Sequence, residues 1–138
     1  MGLEIGHREL EGIEIVDLEG RLTFGEEDLQ LRNEIDKPVR TGKNRLVLNL
    51  ARVTDIDTTG LGTLLFAMAK LRKAGGALAL VNLNPSHIEL LVLAKLETVF
   101  EVFGDEQNAI NSFFPGREIR RYDILEFVRS MRQKQAKS

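Results

Sequence analysis

Two nearly continuous apolar segments limit what this chain can fold into. Leu46–Leu50 and Ala77–Val81 contain too few polar side chains to leave one face in water, as expected of strands that are covered on both faces of a sheet. Between these segments, apolar residues recur at helical spacing, at Leu61, Leu64, Leu65, Met68 and Leu71. A strand, a helix and a second strand in this order predict a parallel pair joined by a right-handed crossover.

The N-terminal third predicts a hairpin followed by a helix. Leu3–Ile5 and Ile13–Leu18 alternate as strands do, with a turn between them at Glu11–Gly12. Three consecutive acidic residues then favour a helix start, because they complement the helix dipole. Pro38 removes a backbone donor, so this helix is expected to end near Asp36 or to kink there.

The segment after the second apolar strand continues the alternation of helices and strands. Asn84–Pro85 has the chemistry of a helix N-cap and first turn, Val99–Phe103 predicts a short strand, and Gly104–Asp105 precedes another helix. The complete pattern predicts an α/β fold. We expect a single domain with a mostly parallel mixed sheet of about five strands and four helices, followed by an extra C-terminal helix.

A helical extension is expected after the stop at Phe114–Gly116. We therefore place one domain at residues 1–116 and the extension at 117–138, with a helix from Ile119 to about Arg132 and frayed residues beyond it. The extension has seven basic and three acidic residues, so it carries +4, and the rest of the chain carries −6. The acidic body argues against direct nucleic-acid binding. The extra helix is expected to pack on the domain or to pair with another chain, which includes a possible homodimer.

Several classes of protein are excluded or disfavoured by composition. There are no cysteines, which excludes disulfides and cysteine-based zinc sites, and the two histidines, His7 and His87, lack metal-ligand spacing. His87 is interpreted as a solvated residue at a helix start. No apolar segment approaches the length of a membrane span, and the N-terminus lacks a signal-peptide pattern, so we expect a cytoplasmic protein without a membrane span.

The segment Asp55–Gly62 joins the first apolar strand to the amphipathic helix. It brings two carboxylates and two hydroxyls to a helix N-terminus, where unpaired N–H groups suit a capping side chain or an added phosphate. The local pattern alone does not distinguish simple helix caps from a modification site.

The element order and the turn Asp57–Gly62 resemble the STAS domain of bacterial anti-sigma factor antagonists. Gly20–Leu22, Val47–Leu50 and Gly75–Gly76 match the same pattern, and the resemblance covers roughly residues 3–114. It implies a phosphorylatable binding module in partner switching, which is neither an enzyme nor a user of a metal or cofactor. Its expected partners are an anti-sigma factor serine/threonine kinase, which the unphosphorylated form binds, and a PP2C-type phosphatase.

The resemblance also implies roles for individual residues. The phosphorylated hydroxyl would be Thr58, with Thr59 as second choice. The surroundings of the phosphorylation site would be formed by Asp55, Asp57, Thr59, Gly60, Leu61 and Gly62. Contacts with the partner would come from Leu22, Thr23, Phe24 and Leu61.

Two features differ from the usual family pattern. Family members more often have serine at the position of Thr58, and many have carboxylates where this chain has Arg21 and Thr23. Two alternatives therefore stay open: an unmodified STAS scaffold in a larger signalling assembly, or a STAS domain that binds a nucleotide or another small ligand.

Overall fold

The computed structural model describes residues 2–137, apart from the side chains of residues 27, 28, 136 and 137. Within this range the strands are β1 (Leu3–Leu10), β2 (Ile13–Leu22), β3 (Arg45–Ile56), β4 (Ala77–Val81) and β5 (Glu101–Phe103). The helices are α1 (Glu26–Arg40), α2 (Thr58–Lys73), α3 (Pro85–Leu93), α4 (Glu106–Asn111) and α5 (Ile124–Lys137). The predicted α/β fold of about five strands, four helices and a further C-terminal helix is confirmed.

The strands form one mixed sheet whose spatial order follows the chain, β1-β2-β3-β4-β5. β1 is antiparallel to β2, and every later neighbour is parallel. The β1–β2 hairpin closes with Leu10 opposite Ile13. Both intervening residues, Glu11 and Gly12, have positive φ, as a two-residue type I′ turn requires. The turn predicted at these two residues is confirmed.

Both faces of the central strands are buried, which explains their continuous apolar sequence. On one face, α1, α2 and α3 cover the main core, which includes Leu48, Leu64 and Ile88. On the other face, Val47 and Ile110 belong to a second cluster that contains residues of the short helix α4. Successive strand residues point to opposite faces, so Val47 and Leu48 enter different cores.

Strand β3 is longer than its apolar segment predicts. Its end therefore determines where the turn before α2 lies. The strand continues beyond Leu50 to Ile56, because Val53 is buried while Arg52 and Thr54 face solvent. Helix α2 then begins at Thr58, three residues before Leu61, the first residue of the apolar helical pattern. The predicted strand-to-helix segment therefore comprises the end of a strand, one capping residue and the first helical turn.

The expected end of α1 near Asp36 was wrong. The helix passes Pro38 and ends at Arg40. Proline is tolerated because it lies in the last turn, where only one backbone hydrogen bond to Glu34 is lost. Its own carbonyl accepts hydrogen bonds from the N–H groups of Thr41 and Lys43, at 3.1 and 2.8 Å.

The other differences between prediction and structure concern the residues at which strands and helices begin and end. β1 extends to Leu10, and β5 begins at Glu101 rather than at residue 99. α5 begins at Ile124 rather than at residue 119, and it continues to Lys137 through residues that were expected to be frayed. Ser138 lies outside the described residues.

The segment that leads into α5 runs along the outer edge of β5. The backbone N–H of Tyr122 donates to the carbonyl of Val102 at 2.9 Å, and Arg121 pairs with Glu101 at 2.6 Å. Ile124 and Phe127 then pack against the main core. The C-terminal extension therefore contacts the domain in the same molecule, as one of the two sequence-based alternatives predicts.

No helix within residues 2–137 combines the length and the apolar character that crossing a membrane requires.

Candidate functional site

Asp57 organises the turn between β3 and α2. It is the N-cap residue of α2, and its backbone is extended, with φ −104° and ψ −173°. Its Oδ1 accepts from the N–H of Gly60 at 2.8 Å, and its Oδ2 accepts from the N–H of Phe24 at 3.0 Å. One carboxylate thus caps the helix and holds the loop between β2 and α1 beside it.

These contacts keep the carboxylate charged. The pKa of Asp57 is lowered from its usual value, first by the hydrogen bond from the Phe24 N–H, and then by those from Gly60 and Thr59, while burial opposes the shift. A negative charge is therefore fixed at the positive end of the helix, next to Thr58.

The two adjacent hydroxyls differ in exposure. Thr58, the first residue of α2, is exposed, whereas Thr59 is half-buried. Because the Asp57 carboxylate provides the cap, the Thr58 hydroxyl is not required for it. The geometry thus favours Thr58 over Thr59 as the residue that an external enzyme can reach.

The predicted partner-contact residues are divided between surface and core. Leu22 is fully buried and Leu61 is 5% exposed, so their side chains stabilise the core, and the expectation that they contact a partner is corrected. Leu22 lies on the helix-covered face of β2, as does Leu18 four residues earlier. Thr23 is half-buried, and Phe24 is 80% exposed.

Sequence reasoning missed a second exposed apolar residue near Phe24. Leu29, in α1, is 63% exposed. With Gly25 as the N-cap of α1, Phe24 and Leu29 occupy the positions that form a hydrophobic staple. That spacing can be recognised in the sequence, although the high exposure of both side chains cannot.

The two glycines of the turn have different roles. A Cβ atom on Gly60 would collide with the carbonyl oxygen of Leu22, so the absence of a side chain lets α2 approach β2. A Cβ atom on Gly62 would meet nothing within 4 Å. Gly60 is therefore required for the packing of α2 on β2, whereas the absence of a side chain at Gly62 leaves open space.

Asp55 lies on β3 rather than at the cap. Its carboxylate accepts a hydrogen bond from the Thr54 hydroxyl at 3.3 Å, and its Cα pairs in register with Arg21 of β2. The same Thr54 hydroxyl lies 3.2 Å from the Gly20 carbonyl oxygen.

The interpretation of His87 as a solvated residue was wrong. The residue is only 4% exposed, although its neighbours Pro85 and Ser86 are on the surface. Asn84 and Pro85 do begin α3 as predicted, with the Asn84 side chain accepting from the His87 N–H at 2.9 Å. The helix start was therefore correct, and the tertiary contacts that cover the third helical position were missed.

Within residues 2–137, no cluster of three or more His, Asp or Glu side chains is arranged to hold a metal ion. The arrangement around Thr58 consists of a surface hydroxyl, a capping carboxylate and backbone N–H groups. It suits recognition and modification by another protein.

The fold is a small α/β domain in which the turn Asp57–Gly62 lies at the carboxyl ends of parallel strands. A family model for the STAS domain matches residues 5–109. The chain belongs to the STAS domain family.

Two relatives that are named as anti-sigma factor antagonists align with most of this chain. An anti-sigma F factor antagonist of Paenibacillus polymyxa is 28% identical over 111 residues, which are 80% of this chain and 94% of the relative. BtrV of Bordetella bronchiseptica, also named as an anti-sigma factor antagonist, is 29% identical over 104 residues, which are 75% of this chain and 89% of BtrV.

Solved structures of similar proteins support the fold. An anti-sigma factor antagonist from Thermotoga maritima has a TM-score of 0.74 and 21% identity, with 79% of this chain and 93% of the other covered. The Bacillus protein SpoIIAA, in its phosphorylated form, has a TM-score of 0.61 and 20% identity, with coverages of 80% and 98%. The unphosphorylated form has a TM-score of 0.62 and 17% identity, with coverages of 84% and 100%.

Proposed function

We propose that this protein is an anti-sigma factor antagonist that binds an anti-sigma factor kinase when Thr58 is unphosphorylated and is released when Thr58 is phosphorylated. The observation that carries the proposal is that Thr58, an exposed residue at the start of α2, lies beside a carboxylate that already provides the cap. The names of two relatives, and a solved phosphorylated form of SpoIIAA, support the same role.

The proposed switch acts through charge. Phosphorylation adds about −1.5 to −2 charges at neutral pH. The N-terminus of α2 favours them by about 0.3–1 kcal/mol, and the charged Asp57 next to the site opposes them. On the free domain the phosphate remains in water. In an interface it would lose its hydration against an acidic neighbour, which costs several kcal/mol. Discrimination between the two forms then requires no refolding of the domain.

The docking surface of this proposal is centred on the loop before α1. Phe24 is an exposed aromatic residue whose N–H is fixed by Asp57, so it is held next to Thr58. Thr23 precedes Phe24 in the same loop, and the exposed Leu29 lies in the first turns of α1 that follow this loop. An aromatic side chain on a restrained loop is a good anchor, because little conformational entropy is lost on binding.

The remaining roles belong to the partners. The kinase would supply ATP and magnesium, and a PP2C-type phosphatase would restore the hydroxyl, so the domain itself needs no cofactor and is a substrate rather than an enzyme. These partners imply a cytoplasmic location.

A homodimer through α5 is a secondary proposal, since Leu125 on this helix is 71% exposed. Sedimentation of the wild type and of Leu125→Glu over a range of concentrations tests it.

The central experiment combines the purified protein with an anti-sigma factor kinase and ATP, followed by mass spectrometry. We expect one added phosphoryl group in the wild type and in Thr59→Ala, and none in Thr58→Ala. In a binding assay, Thr58→Ala is expected to remain bound to the kinase and Thr58→Glu to be released. Equal modification of Thr58→Ala and the wild type, or equal binding of Thr58→Glu and the wild type, would refute the proposed switch.

A further inference from the structure

The two edges of the sheet differ in what covers them. At the β5 edge, the segment before α5 lies alongside the strand, and the N–H of Tyr122 donates to the carbonyl of Val102 at 2.9 Å. The opposite edge is β1, an eight-residue strand that pairs with β2 alone among the described strands. Residues 6–9 of β1 are exposed. The outer side of β1 is therefore an open strand edge.

The alternation of hydrogen bonds shows which backbone groups face this open side. Leu10 and Ile13 flank the two-residue turn, so they form a hydrogen-bonded pair, and the Gly2 carbonyl accepts from the Arg21 N–H at 2.7 Å. Even-numbered residues of β1 therefore bond to β2. Within residues 2–137, no hydrogen-bond partner reaches the outward-facing backbone groups, which belong to Leu3, Ile5, His7 and Glu9. Such a row of unpaired groups is a template for another strand.

Gly6, near the centre of β1, is not explained by packing within the chain. Glycine weakens a strand, and it often occurs where another backbone approaches closely. The φ of Gly6 is not positive, and among the described residues a Cβ atom there would meet only Cβ of Asp17, at an ordinary contact distance of 4.0 Å. A larger side chain would thus fit the isolated chain. The glycine suits a close contact that is made outside it.

We propose that the outer edge of β1 binds the same edge of a second copy of this chain, with the two strands antiparallel and Gly6 opposite Gly6 of the partner subunit. A two-fold axis that relates the same surface on both copies gives a closed dimer. This register bonds all four outward-facing residues, because Leu3 pairs with Glu9 and Ile5 pairs with His7 across the interface. The interface uses neither α5 nor the Thr58 turn, so it is independent of the proposed function.

The charges on β1 favour a second copy and select this register. Glu4 lies opposite Glu19 within the hairpin, and it has no ion pair among the described residues. In the proposed dimer, Glu4 lies opposite Arg8 of the partner subunit, and symmetry forms this pair twice. Arg8 is held in place by Asp17 at 2.6 Å and Glu106 at 2.9 Å, so the added attraction is Coulombic. A shift by one hydrogen-bonded step in either direction removes the pair and leaves one outward-facing residue of each chain unbonded.

Disulfide cross-linking tests the register, because the chain contains no cysteine of its own. The two copies of Gly6 would form a non-hydrogen-bonded pair with Cα atoms about 4.5 Å apart, which is within the range of a disulfide. Gly6→Cys should cross-link at least about tenfold faster than Glu4→Cys or Arg8→Cys alone, since their two thiols lie on Cα atoms roughly 13 Å apart. A mixture of Glu4→Cys and Arg8→Cys should give the mixed dimer. Equal rates for the three single variants would overturn the proposed pairing.

Amide hydrogen exchange at increasing protein concentration tests whether the backbone groups pair. The amides of Gly6 and Arg8 are bonded to β2, so they should be protected already in the dilute protein. Those of Ile5 and His7 should exchange at least about fivefold more slowly as the dimer forms. The proposal is wrong if the protein stays monomeric, or if it associates while these two amides exchange as before.

Sedimentation equilibrium of charge variants separates this dimer from association through α5. Glu4→Arg places like charges opposite each other twice, so we expect dimerisation to weaken by about tenfold. Glu89→Arg makes the same change at an exposed position of α3, and Leu125→Glu changes α5; neither should affect the β1 dimer. Loss of association in Leu125→Glu together with an unchanged Glu4→Arg would assign the contact to α5 and exclude the β1 edge.

Discussion

Two glycine substitutions in α2 test the packing of the Thr58 turn. Gly60→Ala and Gly62→Ala add the same methyl group to the same helix, two residues apart. Alanine in place of glycine stabilises a helix by about 0.5–1 kcal/mol. At Gly62 the new Cβ atom meets nothing within 4 Å, so the full gain is expected.

At Gly60 the same gain is outweighed by a collision. The new Cβ atom would overlap the Leu22 carbonyl oxygen and lie 3.1 Å from Cγ2 of Ile56. Overpacking costs about 1–3 kcal/mol, and we expect the upper end of this range, because a backbone carbonyl cannot rotate away as a flexible side chain can. That carbonyl also accepts from the Asp57 N–H at 3.4 Å, so a shift of β2 would disturb the cap residue.

The expected result is a net loss of about 2 kcal/mol for Gly60→Ala and a gain of up to ~1 kcal/mol for Gly62→Ala. For a chain of this length, 1 kcal/mol corresponds to about 3 °C in melting temperature. In thermal unfolding followed by circular dichroism, the melting temperature of Gly60→Ala should therefore lie about 6 °C below that of the wild type, and that of Gly62→Ala up to ~3 °C above it. A Gly60→Ala protein as stable as the wild type would refute the close approach of α2 to β2.

Three further predictions concern charge and the C-terminal helix. The pKa of Asp57 is lowered, chiefly by the Phe24 N–H, so its stabilisation is present above pH 3.8 and is lost as the pH falls through the folded-state value. In urea titrations, the difference in unfolding free energy between the wild type and Asp57→Asn should thus decrease from pH 5 to pH 2. A constant difference would contradict a stabilising role of the charged Asp57 carboxylate. Burial lowers the pKa of His7, but the hydrogen bonds and charges of Glu34 and Glu14 outweigh burial and raise it. Its stabilisation is therefore complete below pH 6.5 and declines as the pH rises through the folded-state value; His7→Gln should abolish this decline, and an unchanged pH profile would exclude the effect. In α5, Phe127→Ala should cost about 2 kcal/mol and the exposed control Leu125→Ala less than ~0.5 kcal/mol in chemical denaturation, whereas equal effects would argue against packing of α5 on the core.

The parts of the fold that depend on local pattern could be predicted from sequence. The two-sided burial of β3 and β4 is encoded in their continuous apolar residues, and Asn84–Pro85 identifies the start of α3. The end of β3 could not be found in the same way. Beyond Leu50 the continuous apolar sequence stops, because only one face of the strand is buried there, so the predicted strand ended at Leu50 although β3 continues to Ile56.

The position of the strand-to-helix turn could be predicted from sequence, but its contacts could be predicted only in part. The capping chemistry of Asp57 was visible in the sequence, whereas its second hydrogen bond, to Phe24, depends on how two strands end side by side. The same limit explains the errors at Leu22 and His87. Whether a residue near this turn faces water depends on what the tertiary structure places over it, which the neighbouring residues do not specify.

The hydrogen bond between Phe24 and Asp57 affects the stage of folding at which the turn acquires its native arrangement. It joins residues that are 33 positions apart, and β2 pairs with β3 only across the α1 crossover. Contacts that close such long loops form slowly compared with local helices. A nascent or unfolded chain contains the residues around Thr58 without their native arrangement. An enzyme that recognises the capped turn would therefore modify completed molecules and pass over incomplete ones, so the modification would also report that folding has finished.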